Sequence, residues 1–158
     1  MEVLLEKFIE SDHLPIIEGW EEEKEIFKFQ SHSRPKYLRE KDGFADRKTL
    51  LYMIKLDSIF IGTAWLEDIT LEDAKLGIYI ADISSRGKGI GKEIVRRLIE
   101  IASNELRLKS IYLNVRDYND RAIRCYSKCG FKVTQKTDGL TFSDGSHGGK
   151  YEMTLFII

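Results

Sequence analysis

The sequence lacks the features that mark membrane, secreted and multidomain proteins. Its 158 residues include only two prolines and two cysteines. No stretch approaches the roughly 20 consecutive apolar residues that a membrane-spanning helix needs. The first ten residues interrupt their apolar positions with Glu2, Glu6 and Lys7, which the apolar core of a signal peptide does not tolerate. We therefore expect a cytoplasmic protein with no membrane partner.

The charge balance shows no strong excess of either sign. Lysine and arginine together number 25, and aspartate and glutamate together number 26, for a formal net charge of −1. Nucleic-acid binders usually carry a basic excess, so this balance argues against a nucleic-acid partner. Hydrophobic residues make up 42% of the chain, which is enough for a core, and no low-complexity linker or repeat divides it. The sequence thus predicts one domain over residues 1–158.

The two cysteines, Cys125 and Cys129, are too few for a disulfide framework. Their spacing of four residues on a predicted helix would supply half of a metal site, but no second pair of ligands follows in the sequence. We expect two free thiols in a reducing compartment and no bound metal.

The predicted elements alternate between strands and helices. Hydrophobic alternation predicts hairpins near both ends of the chain, with a strand–helix–strand unit over residues 76–115 between them. The two strands of that unit should be parallel neighbours joined by a right-handed crossover, which predicts an α/β domain on a mixed sheet. Predicted strands cover residues 3–8, 50–56, 59–66, 76–81, 111–115, 131–136 and 150–157. The first predicted helix is capped by Ser11 or Asp12 and ends near Trp20, and short helices within residues 21–41 are interrupted near Pro35. A long helix covers residues 89–106, a short one over 121–128 is capped by Asn119 or Asp120 and ended by Gly130, and residues 143–149 form a flexible loop.

A glycine-rich turn joins the third strand to the long amphipathic helix. The strand, residues 76–81, is nearly all apolar and is predicted to be buried on both faces. Glycines permit positive φ values and close approach of a ligand, and a helix N-terminus attracts anions. Three side chains of the turn add positive charge, so it predicts a pyrophosphate site. Its residues are Arg86, Gly87, Lys88, Gly89, Ile90, Gly91 and Lys92.

Two common phosphate motifs do not fit this turn. A Walker motif would need glycine at position 86 and Ser or Thr at position 93, where Arg86 and Glu93 stand. The dinucleotide fingerprint G-x-G-x-x-G starting at Gly87 would need glycine where Lys92 stands. Taken alone, the turn is compatible with phosphate binding and equally with a structural need for flexible backbone.

Two motifs of the chain resemble the signatures of the GNAT acetyltransferases. Arg86, Gly89 and Gly91 match R-x-x-G-x-G, the coenzyme A signature of that family. The block from Asn119 to Phe131 resembles its second signature, N-x-x-A-I-x-x-Y-x-x-x-G-F, and the order and spacing of the two blocks also fit. The resemblance covers essentially the whole chain and looks greatest for the ribosomal-protein and polyamine branch. It implies a mixed, mostly antiparallel twisted sheet flanked by helices, with a central parallel pair splayed for coenzyme A.

The resemblance also implies acetyl-coenzyme A as the co-substrate, held along the central strand. The main-chain N–H groups of residues 86–92 would bind its pyrophosphate. Its pantetheine arm would pair with the strand near Tyr79, Ile80 and Ala81, and Asn119 would contact the arm. The acceptor would be a primary amine: a small polyamine, an aminoglycoside-like amine, or the N-terminus or a lysine of a protein. Dimers are common among such proteins, so a homodimer is compatible with the resemblance.

Tyr126 matches the family tyrosine that protonates the leaving thiolate. When an amine attacks a thioester, a tetrahedral oxyanion forms and the sulfur leaves as an anion, so a phenol within hydrogen-bond reach of that sulfur can act as general acid. A backbone N–H of the central strand can polarise the carbonyl. Outside its motif, Tyr126 would be read as a core aromatic residue on a short helix.

The resemblance does not identify the general base that deprotonates the amine. Lys75 stands where relatives frequently carry glutamate, and Ile83 stands where they often carry proline. Glu72 is the candidate base. Alternatives are a water chain or one of Glu67, Asp68, Asp73 and His32. Side chains of these types in such positions, Glu72 included, are more often solvated surface groups.

Two histidines and two other functions also need to be considered. His13 and His147 have no partner pattern and are expected on the surface. A second hypothesis for the chain is a module that senses acetyl-coenzyme A without catalysis, and a third is a nucleic-acid-binding α/β domain. Tyr126 and Asn119 argue against the second, and the charge balance argues against the third.

Overall fold

The chain folds around one seven-stranded sheet in a computed structural model that describes residues 2–22, 48–142 and 144–157. The strands are β1 (Val3–Lys7), β2 (Leu50–Leu56), β3 (Ile59–Glu67), β4 (Asp73–Ile80), β5 (Ser110–Arg116), β6 (Lys132–Thr141) and β7 (His147–Phe156); the helices are α1 (Glu10–Glu21), α2 (Ile90–Glu100), which continues into a π-helical turn (Ile101–Glu105), and α3 (Asp120–Lys128). The strand order is β1-β2-β3-β4-β5-β7-β6. Only β4 and β5 pair in parallel among these neighbours, which confirms the predicted mixed, mostly antiparallel sheet.

The parallel pair is joined over a very short length. Residues 73–75 of β4 pair with residues 110–112 of β5, and the two strands then separate. The predicted splayed pair is therefore confirmed. Separation leaves one long edge of β4 without a partner strand, and the glycine-rich turn stands at the end of that edge.

The two faces of the sheet carry cores of different size. Leu66, Leu76 and Leu113 belong to the larger core, which α2 covers with its buried Ile94 and Leu98. We call this side the helix face. Successive side chains of a strand point to opposite faces. The other side, which we call the Trp65 face, has a small cluster in which Leu51, Trp65, Tyr79 and Ala81 pack with Phe8 and Trp20.

The predicted strand limits need two corrections. The third strand begins at Asp73, before the predicted start at residue 76. The prediction of burial on both faces is confirmed, since Leu76 is buried on the helix face and Tyr79 and Ala81 are buried on the other face. Ile78 and Ile80 are only half-buried, because β5 has moved away from this part of β4. The last hairpin is longer than predicted, because a bulge between Thr137 and Leu140 lets β6 continue through the polar stretch that resembled a loop. The loop expected at residues 143–149 therefore shrinks, since β7 already begins at His147.

Other sequence predictions are confirmed or lie outside the described residues. The first hairpin turns at Asp57 and Ser58, whose φ values of 46° and 73° suit the tight turn that two-residue hairpins use. Of the helices expected within residues 21–41, everything beyond residue 22 lies outside the described residues. No helix in the described part of the chain combines the length and apolar character needed to cross a membrane.

The prediction of a surface position for His13 is wrong. The side chain is 4% exposed, and its Nδ1 accepts a hydrogen bond of 2.8 Å from the backbone N–H of Ile9. Since Nδ1 accepts, Nε2 carries the ring proton of the neutral imidazole and donates it to Glu6 across 3.1 Å. His13 thus ties α1 to β1. Helix α1 begins at Glu10 after the N-cap residue Ile9 and has no side-chain cap, so the predicted cap at Ser11 or Asp12 is wrong.

We expect the His13→Ala variant to lose about 2 kcal/mol of unfolding free energy, because it removes the hydrogen bond to Ile9 and leaves a void beside Phe60. Urea titration measures the change. His147→Ala is the matched control, since His147 is exposed and its loss should cost less than about 0.5 kcal/mol. Equal stability of the two variants would contradict the role assigned to His13.

Candidate active site

The glycine-rich turn has the backbone conformation that an anion site requires. Gly87 and Gly89 have φ values of 79° and 78°, in the left-handed region that favours glycine. Gly89 is the residue before α2, so the first N–H groups of that helix point out of the turn. Apart from its chain neighbours and the backbone of α2, no atom of the described residues lies within 4 Å of a Cβ built on Gly89. The turn therefore presents backbone N–H groups to open space, and phosphate binding there stays a prediction.

Arg86 lies in this turn with its guanidinium folded back toward β4. Its Nη2 donates a hydrogen bond of 2.9 Å to the carbonyl oxygen of Ile80. Partial burial, and then the nearby guanidinium of Arg121, lower the pKa of Arg86. Two cationic groups therefore share this end of the cleft, and an anion placed there would relieve their repulsion.

A short turn of 3₁₀ helix (Ile83–Ser85) sets the direction of the chain between β4 and the glycine-rich turn. The Asp82 carboxylate accepts hydrogen bonds from the Ser84 backbone N–H and from the hydroxyls of Ser84 and Ser85. These hydrogen bonds lower the pKa of Asp82; the bond from the Ser84 side chain has the largest effect, followed by the bond from Ser85. Ile83 stands first in the 3₁₀ turn, so the turn forms without the proline common in relatives.

The free edge of β4 supplies backbone groups to the cleft. The N–H of Ala81 donates to Ile61 of β3 across 2.7 Å, and backbone groups of a strand alternate in direction. Tyr79 and Ala81 therefore direct their main chains to β3, whereas Ile78 and Ile80 direct theirs into the cleft. Of the three positions predicted beside the cofactor arm, Ile80 alone directs its backbone into the cleft. Ile78, which the motifs did not single out, does the same.

Tyr79 is instead part of the wall on the Trp65 face. Its ring is buried and meets the ring of Trp20 edge-on, with centroids 6.0 Å apart. Next to it, the Trp65 ring lies over Gly77, where any Cβ would come within 2.1 Å of the ring. Both tryptophans of the chain therefore pack along β4 on this face.

Tyr126 lies on α3 and packs on the helix face. Its ring meets Phe131 at 6.0 Å, and the side chain is half-buried. Burial, and then the neighbouring Cys125 and Cys129, raise the pKa of Tyr126 well above the ordinary value for tyrosine. The phenol consequently keeps its proton across the working pH range and can act as a donor.

The two thiols connect α3 to the helix that follows the glycine-rich turn. Cys129 Sγ donates to the carbonyl oxygen of Lys92 across 3.8 Å, and Cys125 Sγ lies 3.6 Å from a Cβ built on Gly91. Both cysteines are free, as predicted. The described residues contain no group of three or more side chains placed to hold a metal ion. The thiols thus hold the helix of Tyr126 against the turn.

Asn119 begins α3. Its Oδ1 accepts a hydrogen bond of 3.3 Å from the Ala122 backbone N–H, which confirms it as the helix cap. Gly130, with φ of 101°, ends the helix as predicted. The cap sets the start of the helix that carries Tyr126.

The candidate carboxylates occupy two different environments. Glu72 is exposed and pairs with Lys109 at 3.1 Å, just before the paired residues of β4 and β5 and therefore at the closed end of the cleft. Glu67 is 3% exposed and lies beside Lys75 in the sheet, so the expectation of a solvated position is wrong for this residue. His32 lies outside the described residues.

Tyr112 marks the point where the cleft begins, and the sequence analysis did not single it out. It is the last residue of β5 that pairs with β4, and it points to the same face as Glu67 and Lys75. Its pKa is raised, first by partial burial and then by four nearby carboxylates: Asp68, Asp73, Glu152 and Glu67. Strand alternation with Ile111 and Leu113 would have placed Tyr112 on the face opposite α2. Its acidic neighbours, however, come from three other parts of the chain.

Comparisons with known proteins place the chain in a family and identify structures with the same fold. The family model described as the acetyltransferase (GNAT) family matches residues 16–131. An aminoglycoside N(6′)-acetyltransferase type 1 of Klebsiella pneumoniae is 38% identical over 73 residues, which are 45% of this chain and 36% of that protein. A spermine/spermidine N(1)-acetyltransferase of Bacillus subtilis is 33% identical over 60 residues, 38% of this chain and 40% of that protein. The matched segments thus span less than half the length of these curated relatives.

Solved structures show the same fold over nearly the whole chain. The spermidine N-acetyltransferase of Vibrio cholerae, solved in complex with CoA and spermine, superposes with a TM-score of 0.82 at 20% identity and covers 98% of this chain and 95% of that one. An N-acetyltransferase of Campylobacter jejuni in complex with acetyl coenzyme A superposes with a TM-score of 0.69 at 21% identity, covering 99% of this chain and 100% of that one.

We expect Asn119→Ala to lower the unfolding free energy by about 1 kcal/mol, because α3 loses its side-chain cap. Thermal unfolding followed by circular dichroism measures this change. Ser127→Ala, an exposed substitution on the same helix, serves as the control and should leave the midpoint nearly unchanged. Two superimposable melting curves would show that the cap contributes nothing.

Proposed function

The chain belongs to the GNAT acetyltransferase family, and on that premise we propose that it transfers the acetyl group of acetyl-coenzyme A to a primary amine. The observation that carries the proposal is the cleft between β4 and β5, which ends at a glycine-rich turn of anion-binding shape. Its open edge can pair with a strand-like arm, and its turn can hold a pyrophosphate attached to that arm. The cytoplasmic location expected from the sequence stays a prediction.

The donor site divides its work between backbone and side chains. The N–H groups of residues 87–92 bind the pyrophosphate, with Arg86 and Arg121 supplying positive charge. The Arg86 N–H is already donated to the Ile83 carbonyl. The backbone of Ile78 and Ile80 pairs with the pantetheine arm as β5 would have done. The Oδ1 atom of Asn119 accepts the capping hydrogen bond of α3, so the amide nitrogen of Asn119 is the group that can contact the cofactor.

Tyr126 is the proposed general acid. The neutral amine attacks the thioester carbon, and a carbon–nitrogen bond forms while the carbonyl electrons move to oxygen. A backbone N–H on the free edge of β4, such as that of Ile78, stabilises this oxyanion. The intermediate collapses, the carbon–sulfur bond breaks, and Tyr126 donates its proton to the sulfur. The amine nitrogen loses a proton to a base or to water, and solvent returns a proton to the Tyr126 phenolate, which balances the reaction.

The amine enters from the Trp65 face. Tyr126 and α3 occupy the helix face, so the opposite side of the cleft is the one open to a second substrate. At the start of the cleft this side carries Tyr112 and the four carboxylates around it, with Lys75 beside Tyr112. Such a surface favours a cationic acceptor. Polyamines and aminoglycosides, the substrates named in the relatives, have that chemistry.

Glu67 is a better-placed carboxylate for receiving the amine than Glu72. Glu67 is buried on the Trp65 face beside Lys75, where the cleft begins. Glu72 is held by Lys109 at the closed end. We therefore propose Glu67 as the residue that orients or deprotonates the amine, and Glu72 as part of the acidic surroundings.

A sensor that binds acetyl-coenzyme A without catalysis is the alternative from another class. The phenol of Tyr126, a group that a sensor would not need, favours the enzyme. A thiol-release assay over a panel of amines separates the two, because only an enzyme liberates coenzyme A in step with amine consumption.

We expect Gly89→Glu to weaken coenzyme A binding at least about 100-fold, since the side chain fills the open space before α2 and brings a like charge to the pyrophosphate. Isothermal titration calorimetry measures this affinity. Gly139→Glu is the matched control, because Gly139 also has a positive φ and an open Cβ position but lies on β6. Equal losses in both variants, or no binding by the unmodified chain, would reject the donor site.

We expect Tyr126→Phe to lower kcat by about 100-fold or more while calorimetric affinity for coenzyme A is retained, because only the proton donor is lost. Because the pKa of Tyr126 is raised, its phenol stays protonated as the pH rises. The rate of the unmodified chain should therefore climb as the amine deprotonates and should not fall before about pH 10, the ordinary tyrosine pKa. An unchanged kcat in the variant, or a basic limb that falls near pH 8, would exclude this role.

A further inference from the structure

Cys125 and Cys129 form a pair of thiols that the proposed chemistry does not use. They are the two cysteines of the chain, and both are free and half-buried. Residues four apart on a helix share a face, so both side chains leave α3 in the same direction. The thiols are in contact with each other, because a side-chain hydrogen bond between them affects the pKa of each. The chain therefore carries one dithiol, formed by Cys125 and Cys129.

The dithiol lies where α3 meets the first turn of α2. Cys125 Sγ is 3.6 Å from a Cβ built on Gly91. Cys129 Sγ donates to the carbonyl oxygen of Lys92 across 3.8 Å. Both sulfur atoms thus lie close to α2, so a further atom bound between them needs additional room at this junction.

Helix geometry and burial protect this dithiol from oxidation and from reagents that react with one thiolate. Residues four apart on a helix have Cβ atoms about 5–6 Å apart, whereas a disulfide brings its Cβ atoms to about 3.5–4.5 Å. An internal disulfide would therefore have to distort α3. Burial is the largest of the effects that raise the pKa of both thiols, which keeps them protonated and weakly nucleophilic. The ligand that suits such a pair is a single soft atom that binds both sulfurs at once.

We infer that Cys125 and Cys129 form a chelating site for trivalent arsenic, and that an arsenic bridge across them opposes coenzyme A binding. An organic arsine oxide reacts with the two thiols so that two arsenic–sulfur bonds form while both S–H bonds and the arsenic–oxygen bond break. The two protons and the oxygen leave as water, and arsenic stays trivalent. The bridge therefore needs no oxidant and no third ligand from the protein.

The opposition to coenzyme A follows from the position of the bridge, and this part of the inference rests on the proposed function. The arsenic atom needs room between α3 and the first turn of α2, which moves α3 outward. Arg121, in the first turn of α3, has its Nη2 only 4.0 Å from a Cβ built on Gly87. Moving α3 thus draws a cation away from the anion-binding turn. Because such coupling is reciprocal, bound coenzyme A weakens arsenic binding by the same factor.

Phenylarsine oxide is the probe that tests the dithiol. The unmodified chain should take up one equivalent, which native mass spectrometry detects as an adduct that dithiothreitol removes and a monothiol does not. Cys125→Ser and Cys129→Ser should each weaken this uptake by about 100-fold or more, because the second bond of a chelate forms at a high effective concentration. Unchanged far-UV circular dichroism shows that each variant is folded.

The matched control is the double variant Cys129→Ser/Ser127→Cys, which keeps two thiols on α3. Residues two apart on a helix do not face each other, so this variant should bind the arsenical as weakly as the single variants. Uptake equal to that of the unmodified chain, in the double variant or in both single variants, overturns the dithiol site. The absence of a removable adduct on the unmodified chain overturns it as well.

Calorimetry with acetyl-coenzyme A, whose acylated sulfur does not bind arsenic, tests the opposition. The bridged chain should bind it about tenfold or more weakly, and dithiothreitol should restore the affinity. A bridge that leaves this affinity unchanged overturns the opposition while the proposed function stands. An unbridged chain that binds no acetyl-coenzyme A overturns the proposed function, and the opposition with it, whereas the adduct still decides the dithiol site.

Discussion

The separation of β4 from β5 after three paired positions is the constraint on which the rest of the structure depends. A continuous parallel pair would satisfy both strand edges and close the sheet. Here the edge of β4 keeps backbone donors and acceptors that need a partner, and such groups are satisfied by water or by a ligand. The cleft and its open backbone edge follow from that one departure, and the glycine-rich turn stands at the end of this edge.

The helix face and the Trp65 face serve different sides of the proposed reaction. On the helix face, α2 and α3 are held together partly by Cys129 and Lys92, so the proton donor and the phosphate-holding turn belong to one packed unit. On the other face, α1 is anchored through His13 and packs Trp20 against Tyr79. A change of acceptor can therefore alter the Trp65 face while leaving the donor machinery intact.

The sequence predicted features that depend on neighbours along the chain. Gly87, Gly89, Asn119 and Gly130 act through local backbone conformation, so the turn and the ends of α3 could be read directly. The environments of His13, Glu67 and Arg116 could not be predicted, because their partners lie on other strands or turns and no sequence spacing indicates these contacts. The end of β6 was mispredicted for a related reason. A bulge between Thr137 and Leu140 keeps this polar segment paired with β7, although its sequence alone resembles a loop.

The packing of Trp65 over Gly77 and of Trp20 against Tyr79 has an optical consequence. The chain contains two tryptophans, and both belong to the same small cluster along β4. The indole emission of the folded protein therefore originates from one face of the sheet. Intrinsic fluorescence is a built-in reporter of that face, and it responds only indirectly to events beside α2 and α3.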